Sequence, residues 1–276
     1  MSKIFAVANQ KGGVGKTTTC VNLSASLVAN KRRVLLIDLD PQGNATMGSG
    51  VDKSDLQLSS YDVLASLLPP RKAIVPTASG YDLMPANIDL TAAEVELLEM
   101  DGRESRLRQA LAEISDDYDY IIIDCPPSLN MLTVNALCAA GGVLIPMQCE
   151  YYALEGLSAL IDTITQIQRA ANPDLKIEGI LRTMYDPRNS LTGDVSDQLN
   201  EYFGDRLYRT CIPRNVRLAE APSFGKPALD YDRSSKGAIA YLALAGEITR
   251  RESAAKQNHH SHDNHNSGPR PVAEAV

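Results

Sequence analysis

Short apolar, β-branched runs recur along the chain at residues 4–8, 34–38, 81–84, 120–124, 142–146 and 177–184. They are apolar throughout rather than alternating, the pattern of strands covered on both faces. Between them lie stretches with helical spacing, at 18–30, 61–68, 92–98, 105–114, 129–139, 154–171 and 192–203, with one more at 236–250. Strand–helix alternation predicts an α/β fold with a doubly wound, mostly parallel sheet and helices on both faces. Right-handed crossovers then gather the loops that follow the strands on one edge, where ligands bind. The pattern stops near residue 250. Residues 251–276 hold all four histidines, with few apolar positions, and read as a disordered His-rich tail on a single domain of residues 1–250.

The first strand runs directly into Lys11-Gly12-Gly13-Val14-Gly15-Lys16-Thr17-Thr18, and a helix follows. Strand, glycine loop and helix form the context of a phosphate-binding loop. Glycines let successive N–H groups turn towards an anion, and the helix N-terminus adds partial positive charge. Lys16 can reach the β- and γ-phosphates, and the Thr17 hydroxyl can ligate Mg²⁺. The general G-x-x-x-x-G-K-T pattern wants glycine at position 10, where Gln10 stands. Instead an extra lysine, Lys11, precedes the glycines.

Composition narrows the picture further. The chain has 276 residues, 44% hydrophobic and 22% charged, without tryptophan. That suits one sizeable core. No apolar run approaches the roughly 18 residues of a membrane span, and the N-terminal run is not followed by a secretory cleavage pattern. Five scattered cysteines, none in a C-x-x-C pair, read as free thiols in a reducing cytoplasm. The net charge is −7, yet residues 182–251 carry 11 Lys/Arg against 9 Asp/Glu. A protein coated in basic charge is excluded; one local basic face is not. The histidines of the tail could bind a transition metal, but flexible His-rich tails do so weakly.

Two strands end in aspartate. Val34–Asp38 leaves Asp38 at its end and Asp40 just beyond, before Pro41-Gln42-Gly43-Asn44; Tyr120–Asp124 is followed by Cys125-Pro126-Pro127. In a parallel sheet these carboxylates converge near the phosphate loop. Triphosphate hydrolysis needs carboxylates there to hold Mg²⁺, directly or through water, and to place the attacking water. Asp124 fits the magnesium role. Asp40 fits water positioning, with Asp38 competing for the same task. The plain alternative is an aspartate that merely caps a turn.

Together the loop KGGVGKTT, the segment DLDPQGNAT (38–46) and the segment IIIDCPPSL (121–129) resemble the deviant Walker-A P-loop NTPases of the ParA/Soj and MinD group. Segments LRTMYDPRNSL (181–191), IPRNVRLAEAPSFGK (212–226) and YDRSSKG (231–237) are similar to the short ParA/Soj partition ATPases. The resemblance covers about residues 1–250. It implies an ATPase that is slow on its own, with ATP and Mg²⁺ as cofactors. Lys11 is implied to reach the partner's nucleotide across a two-fold interface, so that ATP binding and homodimerisation are linked. Lys16 and Thr17 keep their phosphate and metal roles. Asp40 resembles the first-switch residue that orients water and lies near the metal; Asp124 resembles the second-switch, magnesium-side carboxylate. Pro213, Arg214 and Asn215 resemble a loop against the adenine base.

The resemblance further implies sequence-blind binding of double-stranded DNA by the ATP dimer, through Arg188 and Arg217. On charge alone these read as surface arginines or as ion-pair partners of Asp186 or Glu220. It implies a ParB-type centromere-binding partner that stimulates turnover, a cytoplasmic, nucleoid-associated location without membrane attachment, and chromosome or plasmid segregation as the output. The chain starts at its first strand, so autorepression through an N-terminal helix-turn-helix domain is not expected. A MinD-like, membrane-associated positioning ATPase is the nearest alternative, but it needs a C-terminal amphipathic helix, and residues 259–263 (HHSHD) have no apolar face. A redox ATPase like the nitrogenase iron protein needs cluster cysteines, which Cys125 and Cys149 do not match convincingly. A non-hydrolysing adaptor is the third reading.

Overall fold

The computed structural model describes residues 2–65, 68–150 and 153–263. The elements run β1 (Lys3–Val7), α1 (Lys16–Ala29), β2 (Val34–Asp38), α2 (Asn44–Gly48), α3 (Ser60–Leu64), β3 (Val75–Pro76), β4 (Asp82–Met84), α4 (Leu90–Glu96), α5 (Arg106–Ala112), β5 (Tyr120–Asp124), α6 (Met131–Ala139) and β6 (Gly142–Gln148). They continue with α7 (Ala153–Ala170), β7 (Lys176–Tyr185), α8 (Ser190–Phe203), β8 (Leu207–Pro213), α9 (Val216–Glu220), α10 (Ala228–Tyr231) and α11 (Lys236–Asp263).

Eight strands form one sheet in the order β3-β4-β2-β5-β1-β6-β7-β8, parallel except for the β3–β4 pair. The pleat explains the unbroken apolar runs. From β1, Ala6 joins the core on one face while Phe5 and Val7 join the core on the other. From β5, Ile121 and Ile123 face the first core, and Tyr120 and Ile122 the second. Each strand therefore needs apolar residues at every position. β1 lies between β5 and β6. The crossovers from β1 lead to one side of the sheet and those from β6 onwards to the other, so the loop after β1 sits at the topological switch point.

All six predicted strands form, and β3 and β8 are additional. β8 carries Arg209 and Thr210 among its apolar residues and lies at an edge, which hid it from an apolar-run reading. Its Tyr208 ring packs so closely on β7 that a Cβ on Gly179 would stand 2.4 Å from it. The short α2, α9 and α10 were also not anticipated, and part of the helix expected at 61–68 (residues 66 and 67) lies outside the described residues.

The last helix does not end near 250. It runs through Asp263, so residues 251–263 of the expected disordered tail are helical, while 264–276 lie outside the described residues. The reason lies just past Arg250. Arg251 donates to the carbonyls of Asp205 and Leu207 and to Glu247, and the Tyr120 hydroxyl donates to Glu252. These contacts fasten the helix to the sheet beyond the point where its apolar stripe fades.

Candidate functional site

The loop between β1 and α1 has the geometry expected of an anion cradle. Gly13 and Gly15 adopt φ values of 74° and 88°, which side chains rarely tolerate. Gly15 is the N-cap of α1 and supplies no side-chain cap, so the first-turn N–H groups of a 14-residue helix face the loop without one. Lys16 is buried at 7% exposure, its ammonium donating to the Lys11 carbonyl at 3.3 Å. Burial pulls its pKa below the ordinary lysine value, and the Asp124 carboxylate opposes that shift.

Asp38 and Asp124 are register partners at the ends of β2 and β5. Both are fully buried, and burial raises both carboxyl pKa values; the Asp38 carboxylate adds to the rise at Asp124, and the Asp40 carboxylate to the rise at Asp38. Their surroundings then separate them. Asp38 is saturated: its Oδ2 accepts from the backbone and hydroxyl of Thr46, each at 2.8 Å, and its Oδ1 from the Asp40 N–H. It pins the loop that carries Asp40. Asp124 accepts from the Cys20 thiol at Oδ1, 3.4 Å away, while its Oδ2 is buried with no hydrogen-bond partner. A buried carboxylate with an orphaned oxygen, beside Thr17 and Lys16, is a donor set that suits a hard divalent cation. Asp40 is partly buried; its carboxylate accepts from the Gln42 N–H and its carbonyl from the Gly43 N–H. Asp38 thus holds the loop through its hydrogen bonds, and Asp40 stands on that loop.

Pro213, Arg214 and Asn215 line a cavity of about 220 Å³ together with Gly15, Thr18 and Thr183. This apolar recess opens directly beside the phosphate loop, and the end of β8 with the two residues that follow forms part of its wall. Asn215 also caps α9, accepting from the Arg217 N–H.

Lys11 points outward and pairs with Glu150 at 2.6 Å, both about half exposed. Arg188 forms a two-pronged pair with Asp186 and is 88% exposed; Arg217 pairs with Glu220 at 2.7 Å and with Asp232 at 3.3 Å. The arginines thus have the ion-pair partners of the plain sequence reading. Exposed pairs of this type hold their members weakly. They do not join the loop cluster. The groove between β8 and α11, lined by Pro187 and Lys236, places Arg188 on the same side of the molecule as the start of α11.

Four residues that meet the site were not found by sequence reasoning. Cys20 holds Asp124, Glu150 holds Lys11, and Thr183 and Gln148 donate to the carbonyls of Val14 and Gly13. They come from the second turn of α1, the far ends of β6 and β7, and the segment just past β6. No local motif marks them; only sheet order brings them to the loop.

With this geometry in place, similarity to known proteins carries weight. The AAA_31 family model, an AAA domain, matches residues 2–177. The sporulation initiation inhibitor protein Soj of Bacillus subtilis is 54% identical over 251 residues, covering 90% of this chain and 98% of that protein. The chromosome partitioning protein ParA of Myxococcus xanthus is 52% identical over 253 residues, covering 91% and 89%. Among solved structures, a Mycobacterium smegmatis protein described as cobyrinic acid a,c-diamide synthase with a bound ATP analogue and magnesium superposes with a TM-score of 0.82 at 42% identity, covering 92% of this chain and 97% of that one. Among the described residues no helix is long and apolar enough to cross a membrane. Fold, loop and relatives agree that the chain belongs to the ParA/Soj family of chromosome-partitioning ATPases, in the deviant Walker-A branch of the P-loop NTPases.

Proposed function

We propose that this protein is an ATP-operated dimerisation switch that binds DNA without sequence preference and hydrolyses ATP to drive chromosome or plasmid partitioning. The observation that carries the reading is the buried, half-orphaned Asp124 carboxylate set beside Lys16 and Thr17, with the recess of Pro213, Arg214 and Asn215 next to it. A carboxylate in that state stores unfavourable energy until a cation arrives. The ATP analogue and magnesium in the M. smegmatis relative support the same ligands here.

Each residue then has a task. The N–H groups of Gly12 to Thr18 and the Lys16 ammonium bind the phosphates. Thr17 and Asp124 hold Mg²⁺, which screens phosphate charge when bound. Asp40, partly buried on its loop, would accept a hydrogen bond from the attacking water and would help hold the metal through water. Lys11 exchanges Glu150 for the phosphates of a second copy. Dimerisation and ATP affinity are then the same free energy seen from two sides. Arg188 and Arg217 trade their exposed carboxylate partners for DNA phosphates, which gives salt-dependent, sequence-blind affinity. The phosphate loop, residues 9–18, contains no arginine, which fits slow intrinsic turnover raised by a ParB-type centromere-binding partner. Such an activity belongs in the cytoplasm, on the nucleoid.

The test is a filter-binding assay on unrelated duplexes with ATP, ADP or no nucleotide. The proposal expects binding with ATP only, loss in Lys11→Ala and Arg217→Ala, and intact nucleotide binding in Arg217→Ala. Equal DNA affinity without nucleotide contradicts it.

A further inference from the structure

We infer that Thr183, assisted by Gln148, is a positioning residue that holds the phosphate loop in its binding conformation before ligand arrives. The inference rests on the nucleotide-site reading above. The Thr183 hydroxyl donates to the Val14 carbonyl at 2.8 Å, and the residue is 3% exposed. The Gln148 side-chain amide donates to the Gly13 carbonyl at 3.1 Å. Two successive carbonyls of the loop are therefore drawn away from the cradle by side chains at the ends of β7 and β6. In a loop of this kind a carbonyl turned inward would repel phosphate, while its removal leaves the intervening N–H groups to face the anion. Without outside donors those carbonyls compete for the same space.

Thr183 has a second attachment. Its methyl lies against Gly15, where a Cβ would meet it at 3.9 Å, and its side chain lines the recess beside Pro213 and Asn215. One residue thus touches both the loop and the base wall. The next residue, Met184, adopts φ 47°, in the left-handed region that side chains rarely occupy. Strain of this kind persists where the surrounding structure needs it. Here it falls where β7 ends at the loop. Thr183 makes no step of the chemistry; it acts through Val14.

The experiment measures binding of a fluorescent ADP analogue with Mg²⁺ to the full-length chain, alongside thermal melting. Thr183→Val keeps the volume and removes the donor. We expect affinity to fall roughly tenfold, and Thr183→Ser, which restores the hydroxyl, to stay within about twofold of wild type. Gln148→Leu, at a partly exposed position where folding is not at risk, should weaken binding in the same direction. Wild-type affinity in both Thr183→Val and Gln148→Leu overturns the inference. So does a Thr183→Ser protein as weak as Thr183→Val, because the hydroxyl is then irrelevant. If Thr183→Val does not fold, Gln148→Leu decides: weakened binding supports the inference and wild-type affinity overturns it. A wild-type chain that does not bind the nucleotide removes the proposed function and this inference together; a wild-type chain that binds, with unaffected variants, removes the inference alone.

Discussion

At the scale of single residues, the two buried strand-end aspartates show how identical chemistry is divided by surroundings. Asp38 has its oxygens filled by Thr46 and Asp40, whereas Asp124 keeps an unpartnered oxygen. Burial raises the Asp124 pKa in the folded chain. A carboxyl group raised on folding binds more protons in the native state, so its contribution to stability is fully present below the unfolded value and is lost as pH rises through the folded one. Asp124→Asn should therefore melt higher than wild type without ligand at neutral pH, by about 2–6 °C. The gap should shrink on acidification towards the ordinary carboxylate range, and Mg²⁺-dependent turnover should vanish at every pH. A variant that melts lower at neutral pH would contradict the orphaned-carboxylate account. Asp40→Ala tests the other half of the division: turnover should fall by roughly 100-fold or more while nucleotide affinity stays within a few fold. Lys16, Thr17, Asp40 and Asp124 were legible because each sits in or beside a local motif. Thr183, Gln148, Cys20 and Glu150 were not, because their partners lie far along the chain, in the phosphate loop or on β5, and no spacing encodes the sheet order.

At the scale of elements, the apolar runs were the reliable signal, since a strand buried on both faces must be apolar at every position. β8 lacks that signal because Arg209 and Thr210 find partners elsewhere: both backbone N–H groups donate to the Glu247 carboxylate on α11. Its place in the sheet depends instead on Tyr208 seated over Gly179. Gly179→Ala would drive a methyl into that ring and should destabilise the protein by about 1–3 kcal/mol, read by chemical denaturation. Because β8 leads into Pro213, Arg214 and Asn215, nucleotide affinity should fall with it. Unchanged stability would mean that the β7–β8 contact is slack. The end of α11 was missed for a related reason: periodicity reports apolar packing, but Arg251 and Glu252 anchor the helix through polar contacts with the Asp205–Leu207 segment and Tyr120. Hydrophobic pattern alone gives no weight to such ties.

At the scale of the whole molecule, the fold leaves Lys11 at the rim of the loop, tied to Glu150 by an exposed pair that salt and competition can break. On the proposed function, this cation outside its own phosphate cradle would reach a second copy's nucleotide. If so, the Lys11–Glu150 pair opposes assembly, and Glu150→Gln should lower the ATP concentration needed for self-association about two- to fivefold. On the proposed function, Arg188 and Arg217 would meet DNA only when two copies are arranged together. The most direct test of that idea is sedimentation velocity of the Asp40→Ala protein, in which hydrolysis is blocked, with saturating Mg·ATP. The account predicts a shift from one copy to two with ATP, none with ADP, and none when Lys11→Ala is added. A single copy throughout, with ATP demonstrably bound, would contradict it.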